Sequence, residues 1–142
     1  MSYKEVNAAV MLVSAVLVSA WIAFDTAAQG FAATSAEAAV RMLWGVGYTV
    51  AFNIVAIIVA TIAFALIRRE QLKDERADER DRLVASNAMR NGYFVLSVGV
   101  LGVLIWQALG LDAALVPYAL FGVSMLAGGV YAGSQLIYYR IG

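Results

Sequence analysis

Long apolar stretches alternate with short polar segments along this chain. Four of the stretches are long enough to cross a bilayer, because about 20 apolar residues span its hydrocarbon core as a helix. They cover residues 6–24, 42–67, 92–109 and 117–139. Residues 68–91, between the second stretch and the third, are rich in charge and are called the charged segment below. The pattern predicts an all-α protein in which residues 1–142 form a single integral membrane domain, a four-helix transmembrane bundle.

Local signals also predict where the helices begin and end. Thr34 and Glu37 form a capping-box pattern, which places a helix start at the end of the polar segment 25–41. Pro117, the only proline, suits the first turn of the fourth span. The second span is longer than the hydrocarbon core requires. We therefore expect it to continue out of the membrane as a helix, followed by a turn near residues 83–87.

Basic residues are distributed very unevenly over the predicted loops. Nine of the ten Lys and Arg residues lie on one side of the predicted membrane, and only Arg41 lies on the other. Because Lys and Arg concentrate in cytoplasmic loops, the basic side should be the cytoplasm. Both termini and the charged segment are then cytoplasmic, and the spans form two antiparallel hairpins. The three Trp residues agree with this threading, since all of them fall at predicted outer ends of spans, where such rings sit at headgroup depth.

The first span has a competing interpretation. Lys4, an apolar stretch and the small residues Val18, Ser19 and Ala20 are together similar to a secretory signal peptide. The apolar stretch is longer than the roughly 7–15 residues typical of such a peptide. Cleavage would also place the two ends of the chain on opposite sides of the membrane. We therefore expect a retained membrane span.

Composition excludes several kinds of chemistry. The 142 residues are 63% hydrophobic and 14% charged, with no net charge, so that nothing in the sequence would attract nucleic acid. There is no Cys and no His, which excludes disulfides, thiolate metal sites and Ser-His-Asp triads. No Asp, Glu, Lys or Arg lies within the four spans, where such residues mark ion and proton pathways. We expect a protein that is not an enzyme and needs no cofactor or metal.

Opposite charges are sorted along the charged segment in a helical pattern. At 100° per residue, basic residues fall on one stripe of a helix and acidic residues on another face. The basic stripe consists of Arg69, Lys73, Arg76 and Arg80, and the acidic positions include Asp74, Asp78, Glu79 and Asp81. Such a helix would offer its basic stripe to anionic lipid headgroups and its acidic face to a protein partner. The same composition is also typical of a solvated connector that only fixes the threading.

A second polar cluster lies at the entry of the third span. Residues four apart are neighbours on a helix surface, so Asn87 and Asn91 should lie together with Arg90 beside them. Arg90 is next to hydrocarbon and needs a counter-ion or access to the headgroups. A bend in the helix would let Asp78 or Glu79 supply the carboxylate. We interpret the cluster as a clamp that fixes the entry of the span.

Two further features within the spans concern helix packing. Asn53 lies in the second span, where an amide most often hydrogen-bonds across a helix interface. Gly129 and Gly133 form a GxxxG pattern in the fourth span, and Gly99 and Gly102 notch the third. Small residues of this kind let helices approach closely in lipid. We expect these glycines to pack within the chain, with a homodimer face at Gly129 and Gly133 as the alternative.

The block Asp78-Glu79-Arg80-Asp81 stands shortly before the third span. A block of Asp, Glu and Arg at this place in a short four-pass chain resembles a family of small bacterial and archaeal membrane proteins of unknown function. The resemblance covers the charged segment and rests on this motif. It implies the same four-span threading and no particular activity. We expect the chain to lie in the bacterial inner, cytoplasmic membrane.

Three functional hypotheses follow from these residues. The first is an accessory or regulatory subunit that presents the charged segment to a protein partner, to another copy of the chain or to anionic lipid. The second is a small oligomeric transporter or channel of parallel subunits, with a passive path beside Asn53 and Thr49. The third is an inner-leaflet enzyme with Asp78, Glu79 or Asp81 as magnesium ligands, whose charge the interleaved Arg residues would neutralise. Because no catalytic set is present, we favour the first.

Overall fold

The computed structural model describes residues 3–68 and 79–141, which are helical except for two short connections. The four long helices are α1 (Tyr3–Gln29), α2 (Ser35–Arg68), α3 (Glu79–Ala108) and α4 (Val116–Ile141), and a 3₁₀ helix covers Ala113–Leu115. No strand occurs in the described ranges. Each of the four helices is long and apolar enough to cross a membrane. The prediction of an all-α protein with four candidate spans is therefore confirmed.

The connection between α1 and α2 is closed by local hydrogen bonds. Gly30 has a positive φ of 81°, and its N–H donates to the carbonyl of Thr26 at 2.8 Å, which ends α1 in the way typical of a glycine after a helix. The Thr34 hydroxyl accepts from the N–H of Glu37 at 3.2 Å and so caps α2 as predicted. The Glu37 carboxylate does not return to Thr34 but accepts from Arg41 at 3.0 Å.

The connection between α3 and α4 uses the same devices. Gly110 has a φ of 73° and follows the end of α3, where its N–H donates to the carbonyl of Gln107 at 3.0 Å. The Asp112 carboxylate then accepts from the N–H of Ala114 at 2.9 Å and caps the 3₁₀ helix. Pro117 is the second residue of α4, as the sequence predicts, because its missing N–H costs nothing in the first turn.

The helix α4 packs against each of the other three long helices, while α1 and α2 also pack against each other. A buried cluster joins α1, α2 and α4, and consists of Val18, Ile22, Met42 and Phe121. Four alanines have no exposed surface, one from each long helix: Ala8, Ala38, Ala88 and Ala132. Most large apolar side chains of α2 and α3 are exposed, which suits helices surrounded by lipid.

The turn predicted near residues 83–87 is wrong, because α3 continues without a break from Glu79 to Ala108. Its buried residues explain the continuity. Val84, Ala88 and Gly92 follow each other at intervals of four, so that they form one stripe on the face that packs in the bundle. No proline or glycine before Gly92 interrupts this stripe. The predicted continuation of the second span beyond Arg68 lies outside the described residues.

Candidate functional site: a polar cleft at one end of the helices

The starts of α1 and α3 meet the end of α4 around a cavity of about 250 Å³. We call it the polar cleft. It is lined by Lys4, Asn7, Asp81, Arg82, Ala85, Gln135 and Tyr139. The opposite end of the helices holds the contact between the hydroxyl of Tyr118 and the N–H of Ala32, at 3.1 Å. Among the described residues, the polar cleft is thus a place where charged side chains of α1 and α3 meet neutral polar side chains of α4.

An ion pair between Lys4 and Asp81 joins the start of α1 to the start of α3. Both side chains are partly exposed, at 33% and 22% of their surface, so that water and salt still screen the pair. Tyr139 of α4 lines the same cleft as this ion pair. The cleft therefore brings together residues of three helices, with Lys4 from α1, Asp81 from α3 and Tyr139 from α4.

A layer of hydrogen bonds lies just deeper, between α3 and α4. The Asn91 amide donates to the Ser134 hydroxyl at 3.1 Å and to the Tyr138 hydroxyl at 3.0 Å. On α4 itself, the Gln135 amide donates to the Tyr131 hydroxyl at 2.8 Å. These contacts pair polar groups that lipid could not satisfy.

The structure divides the predicted cluster of Asn87, Arg90 and Asn91. Asn91 faces α4, whereas Asn87 and Arg90 are exposed. At 100° per residue, Arg90 lies about 160° around the helix from the buried Gly92 and so points away from the bundle. Glu79 is not the counter-ion of Arg90, because eleven residues of continuous helix separate them by about 16 Å along the axis. Asp78 lies outside the described residues.

Of the residues predicted to contact a partner or lipid, Glu79, Arg80 and Asp81 are described. Arg69, Lys73, Asp74, Arg76 and Asp78 lie outside the described residues. Arg80 contacts α4, because it donates to the Tyr139 carbonyl at 3.5 Å, and Asp81 contacts α1 through its ion pair with Lys4. These two residues thus help to hold the helices together at the edge of the charged segment.

Asn53 hydrogen-bonds across a helix interface, as the sequence predicts. Its amide donates to the Ser14 hydroxyl of α1 at 2.7 Å and to the Thr49 carbonyl of its own helix at 2.8 Å. Ser14 is fully buried. The amide nitrogen of Asn53 is thus occupied by the contact between α1 and α2, and its carbonyl oxygen is buried without a partner among the described residues.

The closest glycine contacts are not made by the GxxxG pattern. A Cβ at Gly133 would meet nothing within 4 Å, and a Cβ at Gly129 would meet only Leu12, at 3.9 Å. A Cβ at Gly99 would lie 2.4 Å from Val123, and one at Gly92 would lie 3.1 Å from the Ala127 carbonyl. Gly92 and Gly99 therefore permit the close approach of α3 to α4, whereas Gly129 and Gly133 contribute little to packing within the chain.

Sequence reasoning missed most of the polar cleft. The sequence pattern predicts no binding role for Lys4, Asn7, Arg82, Gln135 and Tyr139, although the predicted threading places both ends of the chain beside the charged segment. That shared location was the available signal. It brings together Lys4 and Asp81, which are 77 positions apart.

The cleft offers two cations and one carboxylate, together with neutral hydrogen-bonding groups, at the ends of three candidate spans. Within the described residues, no three Asp or Glu side chains are grouped so that they could hold a metal ion. The arrangement is suited to binding a small polar or anionic group, and it presents no nucleophile paired with a general base. Comparison with protein-family models, with curated proteins and with solved structures finds no match to this chain.

Proposed function

We propose that this chain is a non-catalytic accessory or regulatory subunit of the bacterial cytoplasmic membrane, with four spans and with both termini in the cytoplasm. Its charged segment, residues 68–91, would contact a protein partner, another copy of the chain or anionic lipid. The observation that carries the proposal is the division of polar groups. The Asn53 and Asn91 amides join helices to each other, while nine of the ten basic residues fall at one predicted end of the spans.

The positions of the helix ends support the proposed threading. Lys4 and Asp81 meet at one end, and Ala32 and Tyr118 meet at the other, as two antiparallel hairpins require. The predicted threading assigns nine of the ten basic residues to the end with Lys4. Such a bias orients membrane proteins with the basic end in the cytoplasm.

The alternative of a transporter or channel has less support. A passive path beside Asn53 and Thr49 would need polar groups that are free to contact the solute. The Asn53 amide instead binds Ser14, and the Thr49 hydroxyl donates to the carbonyl of Gly45 at 2.9 Å. Flux in proteoliposomes that falls in an Asn53→Ala variant would favour the transporter over the proposed subunit.

The partner role of the charged segment is tested by neutralising three of its acidic residues that precede α3 in the sequence. Full-length tagged protein carrying Asp74→Asn, Glu75→Gln and Asp78→Asn is cross-linked in the host membrane and purified, and the cross-linked products are compared with those of the wild type. We expect a discrete product of the wild type to fall severalfold. The matched control is Glu37→Gln, which removes an acidic charge at the opposite end. Equal products from all three proteins would contradict the proposal.

A further inference from the structure

We propose that the polar cleft binds the headgroup of an anionic glycerophospholipid, with Arg82 and Lys4 directed at its phosphate. This site is distinct from the stripe of basic residues in the charged segment. The inference rests on the proposed function only in requiring this end of the helices to lie at the depth of the headgroups. Basic pockets between membrane helices bind lipid headgroups in this way.

The position and size of the cleft suit a headgroup. Its lining residues come from the first turns of α1 and α3 and the last turns of α4, all of which are candidate spans. Its volume of about 250 Å³ is below the roughly 300–1,000 Å³ of pockets for drug-sized ligands. Ala85 lines the cavity with a small side chain, so a larger side chain at this position would occupy part of its volume.

The charges of the cleft select an anion. Lys4 and Arg82 contribute two positive charges and Asp81 one negative charge, so that the lining carries a net charge of +1. Lys4 already holds the Asp81 carboxylate. No ion pair or hydrogen bond joins Arg82 to another residue that the structure describes, and the side chain is exposed. A guanidinium of this kind matches the two oxygens of a phosphate.

Neutral groups in the cleft favour a headgroup that also carries a hydroxyl. The Gln135 amide nitrogen donates to Tyr131, which leaves its carbonyl oxygen to accept from a ligand. A phosphodiester with a glycerol hydroxyl satisfies both requirements, because its negative charge matches the net positive charge of the cleft and its hydroxyl can donate to the Gln135 carbonyl oxygen. The ligand chemistry is therefore that of glycerophosphate, and the membrane source is a lipid of the phosphatidylglycerol class.

The test measures lipid binding to the full-length protein in neutral detergent by native mass spectrometry. Phosphatidylglycerol is compared with phosphatidylcholine of the same acyl chains. We expect the wild type to prefer phosphatidylglycerol, and Arg82→Gln to weaken that binding by about fivefold or more, since a basic residue near a lipid surface contributes about 1 kcal/mol. Ala85→Phe, which fills the cavity and changes no charge, should weaken it as well. Arg90→Gln is the matched control on the exposed side of the same helix and should bind as the wild type does.

Soluble glycerol phosphate separates the two sources of the ligand chemistry. Weak competition by glycerol phosphate supports the phosphate contact and the lipid assignment, whereas tighter binding of glycerol phosphate than of the lipid would overturn the lipid assignment. Equal losses in Arg82→Gln and Arg90→Gln, or an Ala85→Phe variant that binds like the wild type, would overturn the site itself. The measurement is made in detergent and does not depend on which side of the membrane the cleft faces. A negative result would therefore contradict the lipid site without contradicting the proposed threading.

Discussion

At the scale of single residues, polar side chains inside the spans serve to join one helix to another. Asn53 binds Ser14 between α2 and α1, and Asn91 binds Ser134 and Tyr138 between α3 and α4. Asn53 lies within a predicted span, where water is absent, so its amide could not replace a lost partner. Each of these contacts therefore fixes which face of its helix is turned towards the bundle.

Replacing Asn91 by alanine should destabilise the protein by about 1–2 kcal/mol, because it removes two hydrogen bonds between α3 and α4. Asn87→Ala is the control, since Asn87 is exposed on the same helix, and its effect should stay within about 0.5 kcal/mol. Unfolding by sodium dodecyl sulfate in mixed micelles measures the free energy of unfolding of both variants. Equal losses in the two variants would show that the hydrogen bonds of Asn91 contribute nothing specific.

Gly99→Ala should destabilise the protein by about 1–3 kcal/mol, the usual cost of overpacking a core. The added methyl would lie 2.4 Å and 2.8 Å from the two methyls of Val123, and a valine in a helix has one strongly preferred rotamer and cannot turn aside. Gly102→Ala, where the new methyl meets nothing within 4 Å, should be neutral or slightly stabilising. The same unfolding assay applies, and Val123→Ala in the Gly99→Ala background should restore part of the loss.

At the scale of helices, ends were predictable from the sequence and packing faces were not. The signals at Thr34 and Pro117 act over one turn, and both proved correct. The packing face of a helix is predicted from the difference in polarity between its buried and exposed positions, and in lipid both kinds of position are apolar. The packing face of α2 could therefore not be read from its sequence, and the glycines that notch α3 could not be told from glycines with open space around them.

The continuity of α3 can be tested with proline. Ser86 is exposed and lies within residues 83–87, where the sequence suggested a turn and the structure has helix. Ser86→Pro should cost about 3 kcal/mol or more, because a proline in the interior of a helix removes a hydrogen bond and clashes with the preceding turn. Ser86→Ala should have little effect. If the proline variant were as stable as the alanine variant in the unfolding assay, residues 83–87 would form a turn and not a continuous helix.

At the scale of the whole molecule, the polar cleft could not be predicted before the threading was known. Lys4 and Asp81 meet only because the start of α1 and the start of α3 lie at the same end of the molecule. The basic residues in the sequence predict that these two helix starts lie on the same side of the membrane. They do not predict which side chains contact each other there. Arg82 lines the cleft while Arg90, eight positions on, is exposed outside it, and this difference depends on how α3 is turned against α4.

Threading itself is open to a direct test, because the chain contains no cysteine and single cysteines can be introduced without background. Ala33 lies in the exposed connection between α1 and α2, and Ala77 lies in the charged segment. With nine of ten basic residues on the side of Ala77, a membrane-impermeant maleimide added to intact cells should label Ala33→Cys and spare Ala77→Cys. Permeabilised cells should label both, which controls for reactivity. Labelling of Ala77→Cys alone in intact cells would show that the threading is the reverse of the proposed one. Equal labelling of the two variants would mean that the protein inserts in both orientations. In that case neither the charged segment nor the polar cleft would face the cytoplasm in every molecule.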